Sequence, residues 1–180
     1  MLTLLIGGAR SGKSDLAVEL ARRHATNPGA PGVTFIATAR RFDSDMDTRI
    51  DRHRSSRPPW PTVEAPLDVD EALTAVPLDN FVIIDCLTLW LSNAMLDGWT
   101  DDLIDLNTSK TAAAAAHRAA PTVVVTNEVG MGVHPETELG RRYRDLLGRV
   151  NRTWAQAAHR SLLLVAGRAT RLEDPWELLG

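Results

Sequence analysis

The segment Gly7-Gly8-Ala9-Arg10-Ser11-Gly12-Lys13-Ser14 constrains this chain more than any other. It follows Leu2-Thr3-Leu4-Leu5-Ile6, an apolar run that reads as a buried strand. It precedes residues 13–24, where Leu16, Ala17, Leu20 and Ala21 recur at helical spacing. Two glycines separated by four residues and followed by Lys-Ser form the P-loop pattern. The chemistry explains each residue type. Glycines let the backbone curl so that successive N–H groups point at phosphate oxygens, and the positive end of the following helix adds to that field. Lys13 is placed to reach the β- and γ-phosphates, and Ser14 to ligate Mg²⁺. A plain glycine turn has the same residues; the strand before and the helix after favour phosphate.

A chain committed to a strand–loop–helix start has few ways to continue. Apolar runs at 33–38 (VTFIAT), 81–85 (FVIID), 122–126 (TVVVT) and 161–166 (SLLLVA) predict four more strands. Between them, residues 43–54, 68–76, 87–96 and 103–120 read as helices. Another helix is predicted from Pro135, at its first position, to about His159, with a stripe of Leu139, Tyr143, Leu146, Val150 and Trp154. Near-continuous apolar strands alternating with helices indicate a parallel sheet covered on both faces. The fold class is therefore α/β, a P-loop NTPase-like three-layer sandwich with a mostly parallel central sheet. No repeat or linker interrupts it, so residues 1–180 read as a single domain.

Composition narrows the partners. The net charge is −3, so charge alone marks neither a nucleic-acid nor a membrane surface. No apolar run approaches the roughly 18 residues of a membrane span, and no signal-peptide pattern opens the chain. A single cysteine, Cys86, excludes a disulfide framework, and a cytoplasmic location is expected.

Several polar residues stand where chemistry is expected. Asp85 ends an apolar strand, which suits a Mg²⁺-associated carboxylate in a P-loop protein and also a residue that solvates a turn. Asn127 and Glu128 follow the strand at 122–126, at the edge where open α/β sheets bind ligands, with Gly130 and Gly132 beyond them. On its mechanics this stretch reads equally as a binding loop or a long connection. Of the five histidines, His24, His117 and His159 fall near predicted helix C-termini, where solvated imidazoles suit the helix dipole, and His134 lies in a loop. His53 is surrounded by Arg49, Arg52, Arg54 and Arg57. Its spacing fits both a solvated polar helix, balanced by Asp43, Asp45, Asp47 and Asp51, and an anion-binding cluster.

The motifs GGARSGKS, IATA, RIDRHRSSRP, DCLTLWLSN, VTNEVGMGVHP and LGRRYRDLLGRVN occur in that order over nearly the whole chain. Together they resemble the bifunctional adenosylcobinamide kinase/adenosylcobinamide-phosphate guanylyltransferases of cobalamin biosynthesis. The resemblance implies two reactions: ATP or GTP phosphorylates adenosylcobinamide, and GTP then donates GMP to that phosphate, giving adenosyl-GDP-cobinamide. It implies catalysis by Lys13 and by His53, the residue that carries GMP. Implied nucleotide contacts are Gly7, Gly8, Ala9, Arg10, Ser11, Gly12, Lys13, Ser14, Ala37, Thr38, Ala39, Arg54, Ser55, Ser56, Arg57, Glu64 and Asp85, the last on nucleotide sugar or base. Mg²⁺ as cofactor at Ser14 and a homotrimer are implied too.

An imidazole, with an ordinary pKa near 6.5, offers a neutral ring with a free lone pair at pH 7. Arginines around it would stabilise charge on the α-phosphate and on departing pyrophosphate. Two other classes fit the P-loop alone: a different small-molecule kinase without guanylyl transfer, and a nucleotide-binding regulatory module without turnover.

Overall fold

The computed structural model describes residues 1–26, 29, 32–40, 48, 54, 55 and 57–179. Within them the strands are β1 (Leu2–Gly7), β2 (Val33–Ala37), β3 (Thr62–Glu64), β4 (Phe81–Asp85), β5 (Thr122–Val125), β6 (Arg160–Val165) and β7 (Arg168–Leu172). The helices are α1 (Lys13–Ala25), α2 (Val69–Ala75), α3 (Leu87–Leu96), α4 (Asp101–Ala116), α5 (Glu138–Ala157) and α6 (Pro175–Leu179). The strands join one sheet in the order β3-β2-β4-β5-β1-β6-β7, parallel throughout except for the β6–β7 pair.

Alternation along the central strands explains the layers. Leu2, Leu4, Val82, Ile84 and Val124 pack on one face, against Leu73, Leu91, Leu146, Val150 and Trp154 from α2, α3 and α5. Leu5, Ile83, Val123 and Val125 point to the other face, against Ala17 and Ala21 of α1. Both faces of each strand are therefore apolar, as a sheet covered on two sides requires. A side chain such as Ile83, fully buried, contributes about 2 kcal/mol through desolvation.

Helix ends depart from the sequence reading for local reasons. The helix predicted from Pro135 begins at Glu138, because Thr137 caps it: its Oγ1 accepts from Gly140 N at 3.1 Å. Its apolar stripe starts at Tyr143, since Leu139 is exposed. The helix predicted for 103–120 runs Asp101–Ala116 behind Thr100, which caps Leu103 N at 3.3 Å. It cannot reach residue 120. Arg118 is buried and donates to the carbonyls of Leu73, Val76, Pro77 and Asn80, bracing the end of α2 against the approach to β4.

Three elements were not anticipated. β3 is short and pairs Phe35 with Thr62, Ile36 with Val63 and Ala37 with Glu64. β7 forms a hairpin with β6 through Ala166 and Gly167, both at positive φ (50° and 73°), the geometry of a two-residue turn that matches strand twist. The α6 helix closes the described chain. One histidine differs from expectation: His24 is half-buried, its ring 5.2 Å from that of Phe81. His159 is exposed just past α5, as expected, and its Nδ1 also accepts from Leu2 N at 3.0 Å. His117 does sit at a helix C-terminus, its Nδ1 2.7 Å from Ala113 O.

Candidate active site

The parallel strands all deliver their C-terminal ends to one edge, and there the chain encloses an open cavity of about 210 Å³. The loop after β1 forms one wall. Its shape depends on Gly7, where an added Cβ would lie 2.2 Å from Leu164 O on β6. It also depends on left-handed backbone at Arg10 (φ 57°) and at Gly12 (φ 92°), the residue that opens α1. The β6–β7 hairpin braces the loop from behind, Gly167 N donating to Ser11 O at 3.1 Å.

Lys13 is folded into this loop. Its Nζ donates to Gly7 O at 2.9 Å, to Gly8 O at 2.6 Å and to Ser11 Oγ at 3.3 Å. Only 6% of the residue is exposed. Burial pulls its ammonium below the usual lysine range, against the opposing pull of Cys86 and Asp85. A buried ammonium held by carbonyls is poised to accept an anion, because phosphate oxygens satisfy the same donors with full charge.

The facing wall comes from β2, β3, β4 and the segment before β3. Ala37 and Ala39 flank Asp85 at the sheet edge, and Glu64, Arg54 and Arg57 close the side. Arg57 lies over the Phe35 ring, 3.4 Å from its centroid, and donates to Thr62 Oγ1 at 2.9 Å. Burial and the neighbouring Arg54 lower its pKa, while Asp85 raises it. Arg54 stands 3.7 Å from Glu64 with both side chains about half exposed, a pairing too solvated to hold Arg54 tightly.

Most of the residues expected at the site converge here. Ala9, Arg10, Ser11, Gly12, Lys13, Ser14, Ala37, Ala39, Arg54, Arg57, Glu64 and Asp85 line the cavity. Gly7 and Gly8 are not part of its lining but accept from Lys13 through their carbonyls, and Ser55 is exposed. Thr38 is fully buried: its Oγ1 donates to Cys86 O at 2.7 Å and accepts from Cys86 N at 2.8 Å, tying β2 to the end of β4. His53 and Ser56 lie outside the described residues. The cavity also takes in Asp15, Thr62, Cys86, Leu89, Val125 and Asn127, which carried no site assignment. Of these, only Asn127 had a signal in the sequence, its position just past an apolar strand.

Ser14 and Asp85, both half-buried on this cavity, offer a hydroxyl and a carboxylate, the hard oxygen donors that Mg²⁺ prefers. Among the described residues there is no group of three or more His, Cys, Asp or Glu that could cage a metal. The donor set thus fits an ion held by few protein oxygens together with phosphates and water.

A glycine-rich loop between the first strand and first helix, with its lysine turned into a cavity at the carboxyl edge of a parallel sheet, defines an α/β protein of the P-loop class. Residues 3–172 match the family described as cobinamide kinase / cobinamide phosphate guanyltransferase (CobU), and the chain belongs to that family. It is 35% identical to the bifunctional adenosylcobalamin biosynthesis protein CobU of Escherichia coli strain K12, covering 96% of this chain and 100% of that protein. Identity to the protein of the same name in Salmonella typhimurium is 36%, with the same coverage. Identity to the bifunctional adenosylcobalamin biosynthesis protein CobP of Pseudomonas aeruginosa is 39%, over 93% of this chain and 94% of that one. The family name describes a transferase with kinase and guanylyltransferase activities. No described helix is long and apolar enough to cross a membrane.

Proposed function

We propose that this chain, as a single domain, phosphorylates adenosylcobinamide with ATP or GTP and then transfers GMP from GTP to the product, giving adenosyl-GDP-cobinamide. The observation that carries the reading is the cavity in which Lys13, Arg54, Arg57 and Asp85 meet, in a chain that matches the family over residues 3–172. Lys13 holds the outer phosphates. Loop amides and the start of α1 hold the inner ones. Ser14 and Asp85 would hold Mg²⁺, which offsets phosphate charge when bound.

For guanylyl transfer the nucleophile is His53, which immediately precedes the cavity-lining Arg54 in the chain. An imidazole nitrogen forms a bond to the α-phosphorus of GTP. The bond from that phosphorus to the α,β-bridging oxygen breaks, and its electron pair leaves with pyrophosphate. The phosphate oxygen of adenosylcobinamide phosphate then attacks the same phosphorus, and the N–P bond breaks to return the imidazole. Arg54 and Arg57 stabilise charge during both displacements. The working enzyme is a cytoplasmic homotrimer.

Incubation with GTP and adenosylcobinamide, with products identified by mass, tests the reading. Adenosyl-GDP-cobinamide and pyrophosphate are the expected products. Phosphorylated adenosylcobinamide alone would leave only the kinase. Absence of both products would refute the function. Light scattering tests the trimer, and the mass of one subunit across protein concentrations would exclude it.

A further inference from the structure

Asn127 occupies a position in the cavity that the reaction described so far does not use. We infer that its carboxamide donates a hydrogen bond to the γ-phosphate of the bound nucleoside triphosphate, and so helps the site distinguish triphosphate from diphosphate. The inference rests on the reading above that the cavity holds such a nucleotide.

Strand β5 lies between β1, which carries the P-loop, and β4, which ends in Asp85. Val125 pairs with Leu5 on one side and with Asp85 on the other. The chain past Val125 keeps following β1, with Thr126 N donating to Leu5 O at 2.9 Å and Glu128 N to Gly7 O at 3.2 Å. Gly7 O is also the acceptor of Lys13 Nζ. One carbonyl therefore ties the residue after Asn127 to the P-loop lysine, and Asn127 stands between Lys13 and Asp85.

Its main chain is clamped from below. Asn151 of α5, buried, donates through Nδ2 to Asn127 O at 2.9 Å and accepts from Thr126 Oγ1 at 2.7 Å. Asn127 lines the cavity, and its carboxamide makes no hydrogen bond within the described residues. A carboxamide brings two N–H donors and no charge. Between an ammonium and a carboxylate it binds an anionic oxygen without repelling either. With the loop amides on the inner phosphates, a donor at the end of the strand between the P-loop and Asp85 is left for the outer one.

The test is calorimetric titration with guanosine α,β-methylene triphosphate and the matching diphosphate, whose α–β linkage cannot be cleaved. The parent should bind both. Asn127→Ala should lose about tenfold or more in triphosphate affinity, the size of a hydrogen bond to a charged group, with diphosphate affinity unchanged. Asn127→Asp, which sets a carboxylate against the phosphate, should lose more. Circular dichroism establishes that each variant is folded. Equal losses for both nucleotides, or none, would overturn the assignment while leaving the nucleotide site in place. A folded parent that binds neither nucleotide would overturn the assignment and the proposed function together.

Discussion

Gly7 and Leu164 pair across β1 and β6 so closely that a methyl group on Gly7 would stand 2.2 Å from the Leu164 carbonyl oxygen. The P-loop thus begins against the backbone of a strand more than 150 residues away in the chain. Gly7→Ala must push β1 and β6 apart or tilt the loop. We expect a loss of about 1–3 kcal/mol in stability, the usual cost of overpacking, together with weakened nucleotide binding. Urea unfolding and a nucleotide titration check this. An alanine variant with parent stability would show that the loop absorbs the methyl group.

Lys13→Ala removes the cation that both reactions need. Nζ now rests on Gly7 O and Gly8 O, neutral acceptors that phosphate oxygens would replace with full negative charge. Kinase turnover and guanylyl transfer should both fall by about two orders of magnitude or more, as when a charge-stabilising donor is lost. Steady-state assays of each step decide it. Normal rates in either would remove Lys13 from that step.

His53→Ala should separate the two activities. Phosphorylation of adenosylcobinamide should persist, and GMP transfer should disappear. The parent enzyme incubated with GTP alone should retain label from the α-phosphate and release label from the γ-phosphate. An N–P bond is lost in acid, because protonation makes imidazole a good leaving group, and it persists in alkali. Adding adenosylcobinamide phosphate should discharge the label into product. An acid-stable adduct, or equal loading of the variant, would exclude His53 as the nucleophile.

The Cys86 thiol should be inert near neutral pH. Burial first, and then the Asp85 carboxylate, push its pKa up to about 11 from an ordinary value of 9.0, while Thr88 Oγ1 donates to Sγ at 3.1 Å. The unfolded chain gives up this proton first. The stabilising contribution is therefore intact below pH 9 and is lost as pH rises through 11. Alkylation at pH 8 should be slow, and Cys86→Ala should lose less stability than the parent between those values. Fast alkylation of the native protein at pH 8 would contradict the shift.

The amino-acid sequence alone determined the elements whose signal is local. The P-loop was legible because strand, glycines and Lys13 are contiguous, and the five principal strands because each is a run of apolar side chains, packed on both faces in the four central ones. Ala37, Ala39 and Glu64 were assigned only through the family resemblance, whereas Asp85 also stood out at the end of an apolar strand; the fold then gathered all four, since carboxyl ends of parallel strands share one edge. Tertiary structure decided the rest. β3 has only three residues, and β7 is exposed along its whole length, so neither carries an alternating pattern; each is a strand because a neighbour's backbone groups need partners. Thr38 was legible as part of a motif, but only packing shows its hydroxyl spent on Cys86. Likewise Arg118 and His159 end up serving carbonyl or amide groups far away in sequence. Asn127 was visible in the sequence but had no assignable role there, because its place between Lys13 and Asp85 exists only once β5 has inserted between β1 and β4.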